Sequence, residues 1–304
     1  MLNIIGHKNW YFAFSLLIII PGLISLALWG LKLSIDFTGG SRLVLQYPQT
    51  VNEQKAEQIR NVFEENNVEV VTLQPSDDQV IIRTKPLNET QSAAILTDLR
   101  AETGDVSQEQ FETIGPIIGQ ETAINALSSI AISSLLIVFY IAWSFRGVRK
   151  PLSSWRFGLG AVAALIHDAL LVIGVFSLLG QFVGVEVDSL FVTALLTVLG
   201  FSVHDTIVVF DRIRENLRRN VEAPFAQVVN DSILQTMVRS LNTSLTALLV
   251  LVTLLIFGGE TIRWFIVAMI IGLVSGTYSS IFNAAPLLVA WQEWTDKRKL
   301  KLKE

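Results

Sequence analysis

Cysteine is absent from the 304 residues, so disulfides, thiolate metal sites and cysteine nucleophiles are excluded. Histidine is scarce as well. Only His7, His167 and His204 occur, two of them inside apolar runs, which is too few for a zinc cluster. Charge is also thin: Asp, Glu, Lys and Arg make up 16% of the chain against 51% hydrophobic residues, with mean hydropathy +0.50. A soluble domain of this size carries more charge, so a polytopic membrane protein is indicated. No low-complexity tract or short repeat occurs, and neither G-x-x-x-x-G-K-[ST] nor G-x-G-x-x-G is present. With no nucleophile–base set or metal cluster, enzymatic catalysis has no support, and no cofactor or nucleic-acid partner is expected.

What is present is apolar length. Six runs are long enough to cross about 30 Å of hydrocarbon: Tyr11–Gly30, Thr122–Phe145, Phe157–Gly180, Ser189–Phe210, Leu241–Phe257 and Trp264–Trp291, the last over-long and expected to tilt. All seven tryptophans (Trp10, Trp29, Trp143, Trp155, Trp264, Trp291, Trp294) fall at or near span ends, as an interfacial belt requires. Basic residues cluster on one side, with Arg146, Arg149, Lys150 and Arg156 between spans two and three. Arg212, Arg214, Arg218 and Arg219 follow span four, and Lys297, Arg298, Lys299, Lys301 and Lys303 follow span six. The opposite loops hold Glu186, Asp188, Glu260 and only Arg263. The positive-inside rule therefore predicts that both termini are cytosolic. Lys8 and Ser25-Leu26-Ala27 resemble signal-peptide features, but the first run exceeds a usual signal core and reads as an uncleaved anchor.

Residues 31–121 form the one large outer loop, with about twice as many acids as bases. Its pattern predicts strand Ser41–Tyr47, helix Val51–Asn66, strands Glu69–Gln74 and Gln79–Thr84, helix Asn88–Glu102 and strand Glu109–Ile114. Asp77-Asp78 supply the hairpin turn and Asn88 the cap of the second helix, whose apolar positions are Ala93, Ile95, Leu96 and Leu99. The order βαββαβ is the ferredoxin-like α+β pattern, which implies no chemistry by itself. Gly39-Gly40 at its start, and Gly115, Pro116 and Gly119 at its end, read equally as turn makers or as a hinge. The chain thus divides into a cytosolic N-terminus with span one (1–30), the outer domain (31–121), spans two to six (122–291) and a basic cytosolic tail (292–304). The segment Pro224 to Val238 reads as an amphipathic cytosolic helix.

The spans carry a few polar residues that hydrocarbon does not accept freely. Span four holds His204 and Asp205 in its inner half, with Ser202 and Thr206 close by on the helix surface. A carboxylate inside hydrocarbon costs several kcal/mol and marks proton relays more often than packing. Asp205 is accordingly read as a proton-binding group. Span three carries His167-Asp168 about halfway through, and there a carrier and a partner-bound structural acid fit equally well. Span five begins with Arg239, Asn242, Thr243 and Thr246, which share one face. This predicts an ion pair between Arg239 and Asp205 that loosens on protonation, with simple snorkelling of Arg239 as the rival. His167 and His204 read as satisfied interior or water-cavity histidines, although a pKa near 6.5 leaves proton carriage open. Gly272, Gly276 and Ser280 make a small-xxx-small face for close helix approach.

These residues resemble the SecF family, the smaller subunits of the SecD–SecF accessory complex of bacterial protein export. The likeness runs through Gly30-Leu31-Lys32-Leu33-Ser34-Ile35-Asp36-Phe37-Thr38-Gly39-Gly40, Gly115-Pro116 with Gly119, His167-Asp168, and Leu196 to Ser202. It continues through Asp205-Thr206-Ile207-Val208-Val209-Phe210-Asp211-Arg212 to Asn216, Arg239 to Ser244, Gly258-Gly259 and Gly276 to Ser280. The resemblance implies an RND-type membrane half in the bacterial inner membrane, pairing pseudo-symmetrically with the spans of SecD. It further implies a place beside the SecY–SecE–SecG channel, where proton flow helps draw unfolded exported polypeptide outward. The proton-linked acid and arginine of the family fall on Asp205 and Arg239. The residue before that acid is usually Asn and here is His204. Two rival readings remain, an RND-type exporter of small molecules or lipids and a passive scaffold for a partner subunit.

Overall fold

The computed structural model describes residues 2–76, 78–146, 154–220 and 222–301. Asp77 of the expected hairpin turn, the loop residues Arg149 and Lys150, and Lys303 of the tail lie outside them. The chain forms two compact units, residues 33–128 and residues 1–32 with 129–304.

The first unit contains helix α2 (Ile35–Thr38), strand β1 (Gly40–Gln46), helix α3 (Glu53–Glu65), strands β2 (Val70–Ser76) and β3 (Gln79–Thr84), helix α4 (Glu89–Thr103) and strand β4 (Ser107–Ile114). The sheet is antiparallel in the order β2-β3-β1-β4, the ferredoxin-like arrangement. Alternation places Leu43 and Leu45 of β1, with Tyr47 just after it, and Val80 and Ile82 of β3 on one buried face. Ile59, Val62 and Phe63 cover it from α3, and Ile95 and Leu99 from α4. Asn52 and Asn88 cap these helices by accepting from the backbone N–H of Lys55 and Gln91. Ala93, expected in the apolar stripe, is exposed, while Ser92 turns inward and donates to Gln108. The helix reconciles its face by hydrogen bonding rather than by an alanine contact.

Burial pushes the Tyr47 phenol up from its ordinary 10.0, outweighing the opposing hydrogen bond with Thr103. The fold favours the neutral phenol, so this contribution is complete below about pH 10 and lost as pH rises through the folded group's titration. Tyr47→Phe is therefore expected to shift alkaline unfolding of this unit to higher pH, followed by far-UV circular dichroism, since residues 33–128 hold no other tyrosine and no tryptophan. An unchanged alkaline midpoint would count against it.

The glycines flanking this unit are packed tightly. Gly39 has φ +72°, and a Cβ there would lie 2.7 Å from the Pro116 Cα; one on Gly119 would lie 2.7 Å from the Gly39 nitrogen. Gly40 (φ +122°) approaches the Thr84 carbonyl oxygen as closely. Arg83 donates to the Leu33 carbonyl and the Thr38 hydroxyl, both at 2.9 Å, tying the entry segment to the sheet.

The other unit is helical: α1 (Lys8–Trp29), the later part of α5 (Pro116–Ser144), α6 (Ser154–Phe182), α7 (Ser189–Arg219), α8 (Phe225–Phe257), α9 (Glu260–Ser279) and α10 (Ala285–Lys301). By length and composition six spans could cross a membrane, the last running through both α9 and α10. Trp10, Trp29, Trp143, Trp155 and Trp294 are all exposed. The expected cytosolic helix is not separate. It continues without a break into span five as α8, 33 residues long. Nor does the sixth span cross as one regular helix, because Ser280–Ala284 form a π-turn. Pro286 follows, with no N–H to offer the carbonyl four residues back and a ring that crowds it, so widening the preceding turn relieves the clash.

Small residues set the closest helix contacts. A Cβ on Gly22 of α1 would meet the Gly174 Cα of α6 at 2.7 Å, and beside this contact the Ser25 and Ser177 hydroxyls are 2.7 Å apart. At the other end of α6, Phe157 stacks on Phe145 at 5.5 Å, and Phe210 meets both edge-on. This apolar cluster joins three helices just before the arginines that end α7.

Candidate functional site

Asp205 lies on α7 with 8% of its surface exposed. It borders a cavity of about 390 Å³ lined by Thr197, Gly200, Phe201, His204, Thr243, Ser244, Ala247 and Leu273, so α7, α8 and α9 all contribute. The Ser244 hydroxyl lines the same cavity and is 2.5 Å from the Thr277 hydroxyl on α9. His204 Nδ1 stands 3.8 Å from the carboxylate, beyond hydrogen-bond range, with its ring mostly exposed. Among the described residues no Lys or Arg pairs with Asp205. Arg239 is exposed on α8 and forms no ion pair with it, lying five residues from Ser244, about 7.5 Å of helical rise. Asn242 is exposed too. Thr243 lines the cavity while its hydroxyl donates to the Arg239 carbonyl, and the buried Thr206 hydroxyl donates to the Ser202 carbonyl.

Asp168 on α6 is in a different situation. None of it is exposed, and its two oxygens accept four hydrogen bonds. Oδ1 takes the Ser275 hydroxyl at 2.6 Å and His167 Nδ1 at 3.0 Å; Oδ2 takes Ser202 at 2.5 Å and Ser279 at 2.7 Å. A carboxylate offers about four acceptor positions, and all are used. His167 Nε2 is buried without a partner, while its ring lies 6.4 Å from that of Tyr278, whose hydroxyl donates to the Tyr11 carbonyl.

This cage exists because α9 approaches α7 closely. A Cβ on Gly276 would stand 3.1 Å from the Ser202 Cβ, and one on Gly272 would collide with the Val198 side chain. Ser280, the third member of that stripe, is buried with its hydroxyl on the Thr277 carbonyl. Of the polar neighbours, Ser275 was not read from the sequence, and Thr277, Ser279 and Ser244 entered only within the segments that carry the family resemblance, without a role. Serines four apart beside Gly276 were the available signal. No group of three or more His, Asp or Glu suited to a metal occurs among the described residues.

Residues 94–294 match the family described as "Protein export membrane protein SecD/SecF, C-terminal", and residues 24–51 match the SecD/SecF GG motif, which includes Gly39 and Gly40. The protein translocase subunit SecF of Thermobaculum terrenum is 44% identical over 305 residues, covering 96% of this chain and 94% of the relative. The protein translocase subunit SecDF of Bacillus subtilis is 34% identical over 94% of this chain and 38% of its own length. Among solved structures, SecDF from Thermus thermophilus, a translocon-associated membrane protein, superposes with TM-score 0.82 at 33% identity. That match covers 96% of this chain and 39% of the solved one.

Proposed function

The chain belongs to the SecD/SecF family of protein export membrane proteins, and on that premise we propose that it is a SecF-type subunit that uses proton flow to assist Sec protein export. Asp205 carries the proton. One observation supports this above the others: a nearly buried carboxyl opens onto a largely apolar cavity between three helices, and among the described residues no Lys or Arg pairs with it. Keeping it charged there is costly, so a proton can enter and leave with a large effect on helix packing. A unit charge crossing the membrane field is worth ~2.3 kcal/mol per 100 mV, enough to bias a two-state equilibrium. Arg239 pairs with the deprotonated acid in the alternate packing, and the outer domain moves in response.

The partner is a SecD-type half. Support comes from the Bacillus subtilis relative, a SecDF of which this chain matches little more than a third. It also comes from the exposed Arg239, Asn242, Thr243 and Thr246 along α8, which acyl chains would not cover well. The complex lies beside SecY–SecE–SecG in the bacterial inner membrane with both termini cytosolic, and unfolded exported polypeptide meets the outer domain. In vesicles carrying the channel and SecD, adding this chain is expected to raise the export rate only while a proton gradient is present. A rise that survives gradient collapse would falsify the coupling.

A further inference from the structure

We propose that Asp168 is a positioning residue, an acid that does not exchange protons with the cavity and instead fixes the rotation of α7 that turns Asp205 toward it. The inference rests on the proton reading of Asp205.

The two acids lie on adjoining helices, yet their surroundings give them opposite capacities. Asp168 is wholly buried and every acceptor position is filled. Charge-assisted bonds of this kind are about twice as strong as neutral ones, so the carboxylate is compensated in place. A proton landing on it would break at least one of the four. Asp205 lines an open cavity and accepts none of the side-chain hydrogen bonds found among the described residues, so a proton there displaces little.

The donors also say what the cage holds. They come from α6 itself (His167), from α7 (Ser202) and from α9 (Ser275 and Ser279). Ser202 precedes Asp205 by three residues, the spacing of neighbours on one helix surface. Drawing Ser202 onto Asp168 therefore sets the direction in which Asp205 points. No α8 side chain bonds to Asp168 among the described residues, so α6, α7 and α9 are braced together and α8 is left to answer the proton on Asp205. The titratable groups facing Asp168 are few. His167 contacts it from its own helix and Tyr278 of α9 lies beyond the His167 ring; no Lys or Arg pairs with it among the described residues.

The test uses the assembled complex in vesicles, with two readouts across pH: gradient-driven export and the protonated-carboxyl infrared band. Asp205→Asn is expected to remove the titrating band. Asp168→Asn is expected to keep the band, move its midpoint, displace the export pH profile the same way and lower the rate by about tenfold, the loss of roughly one charge-assisted bond. Asparagine fits the cage, because its oxygen still accepts and Ser279 has the Gly276 carbonyl 3.2 Å away as an alternative. Should that variant not assemble, Ser275→Ala and Ser279→Ala each remove one donor and are expected to give smaller shifts in the same direction. Loss of the band in Asp168→Asn, or pH profiles unchanged in all three variants, would overturn the proposal. An unaltered band and unaltered export in Asp205→Asn would instead remove the proton reading itself.

Discussion

Asp205→Asn is expected to abolish the gradient-dependent part of export while leaving the amount of assembled complex unchanged. Asparagine has nearly the same volume, so packing around the cavity is preserved. What disappears is the ability to take up and release a charge. Without it the field has no gating charge to act on at this position, and export is expected to fall to the rate measured with the gradient collapsed. Asp205→Glu keeps a titratable group in a cavity of about 390 Å³ and is expected to keep part of the activity. Reconstituted export with and without a gradient, normalised to complex recovered by co-purification, is the measurement. Full gradient dependence in the asparagine variant would reduce this chain to a scaffold.

The largest stability effect is expected at the α1–α6 crossing. Even the first carbon of a side chain on Gly22 would lie 2.7 Å from the Gly174 backbone, and backbone cannot swing aside. Leucine there forces the helices apart and strains or breaks the Ser25–Ser177 hydrogen bond beside it. Overpacking costs about 1–3 kcal/mol and a lost buried hydrogen bond roughly 1 more. Gly22→Leu is expected to lower the yield of folded, detergent-extractable protein several-fold and to reduce its thermal aggregation midpoint. Gly158 on α6 is the control, since no atom lies within 4 Å of a Cβ built there. Gly158→Ala is expected to be neutral or to gain up to about 1 kcal/mol from helix propensity. Equal losses at both positions would mean that the backbone contact is not what limits packing.

The sequence was most informative where physics acts along a single element. Hydropathy located the spans because hydrocarbon thickness fixes their length, and alternation with turn residues gave the outer domain its strand order. Asp205 and Asp168 stood out because acids in apolar runs are rare. Their contrasting surroundings were not legible, since these depend on which neighbouring helix supplies hydroxyls. The four-residue spacing of Ser275 and Ser279 marks a shared helix face but does not say which neighbouring helix that face meets. The unity of α8 was missed because polarity changes near Arg239 while nothing there breaks a helix. No proline or glycine occurs between Phe225 and Phe257. The π-turn followed from Pro286, a local cause that length alone had hidden.

That unbroken rod has a mechanical consequence. Ser244, which lines the cavity with Asp205, lies 19 residues from Phe225, about 28 Å at 1.5 Å per residue. A 5° tilt about that pivot displaces the far end by about 2.5 Å, and the two ends travel in opposite senses. A single-atom event at the cavity would thus register at Gln227 as a swing that paired spin labels can follow.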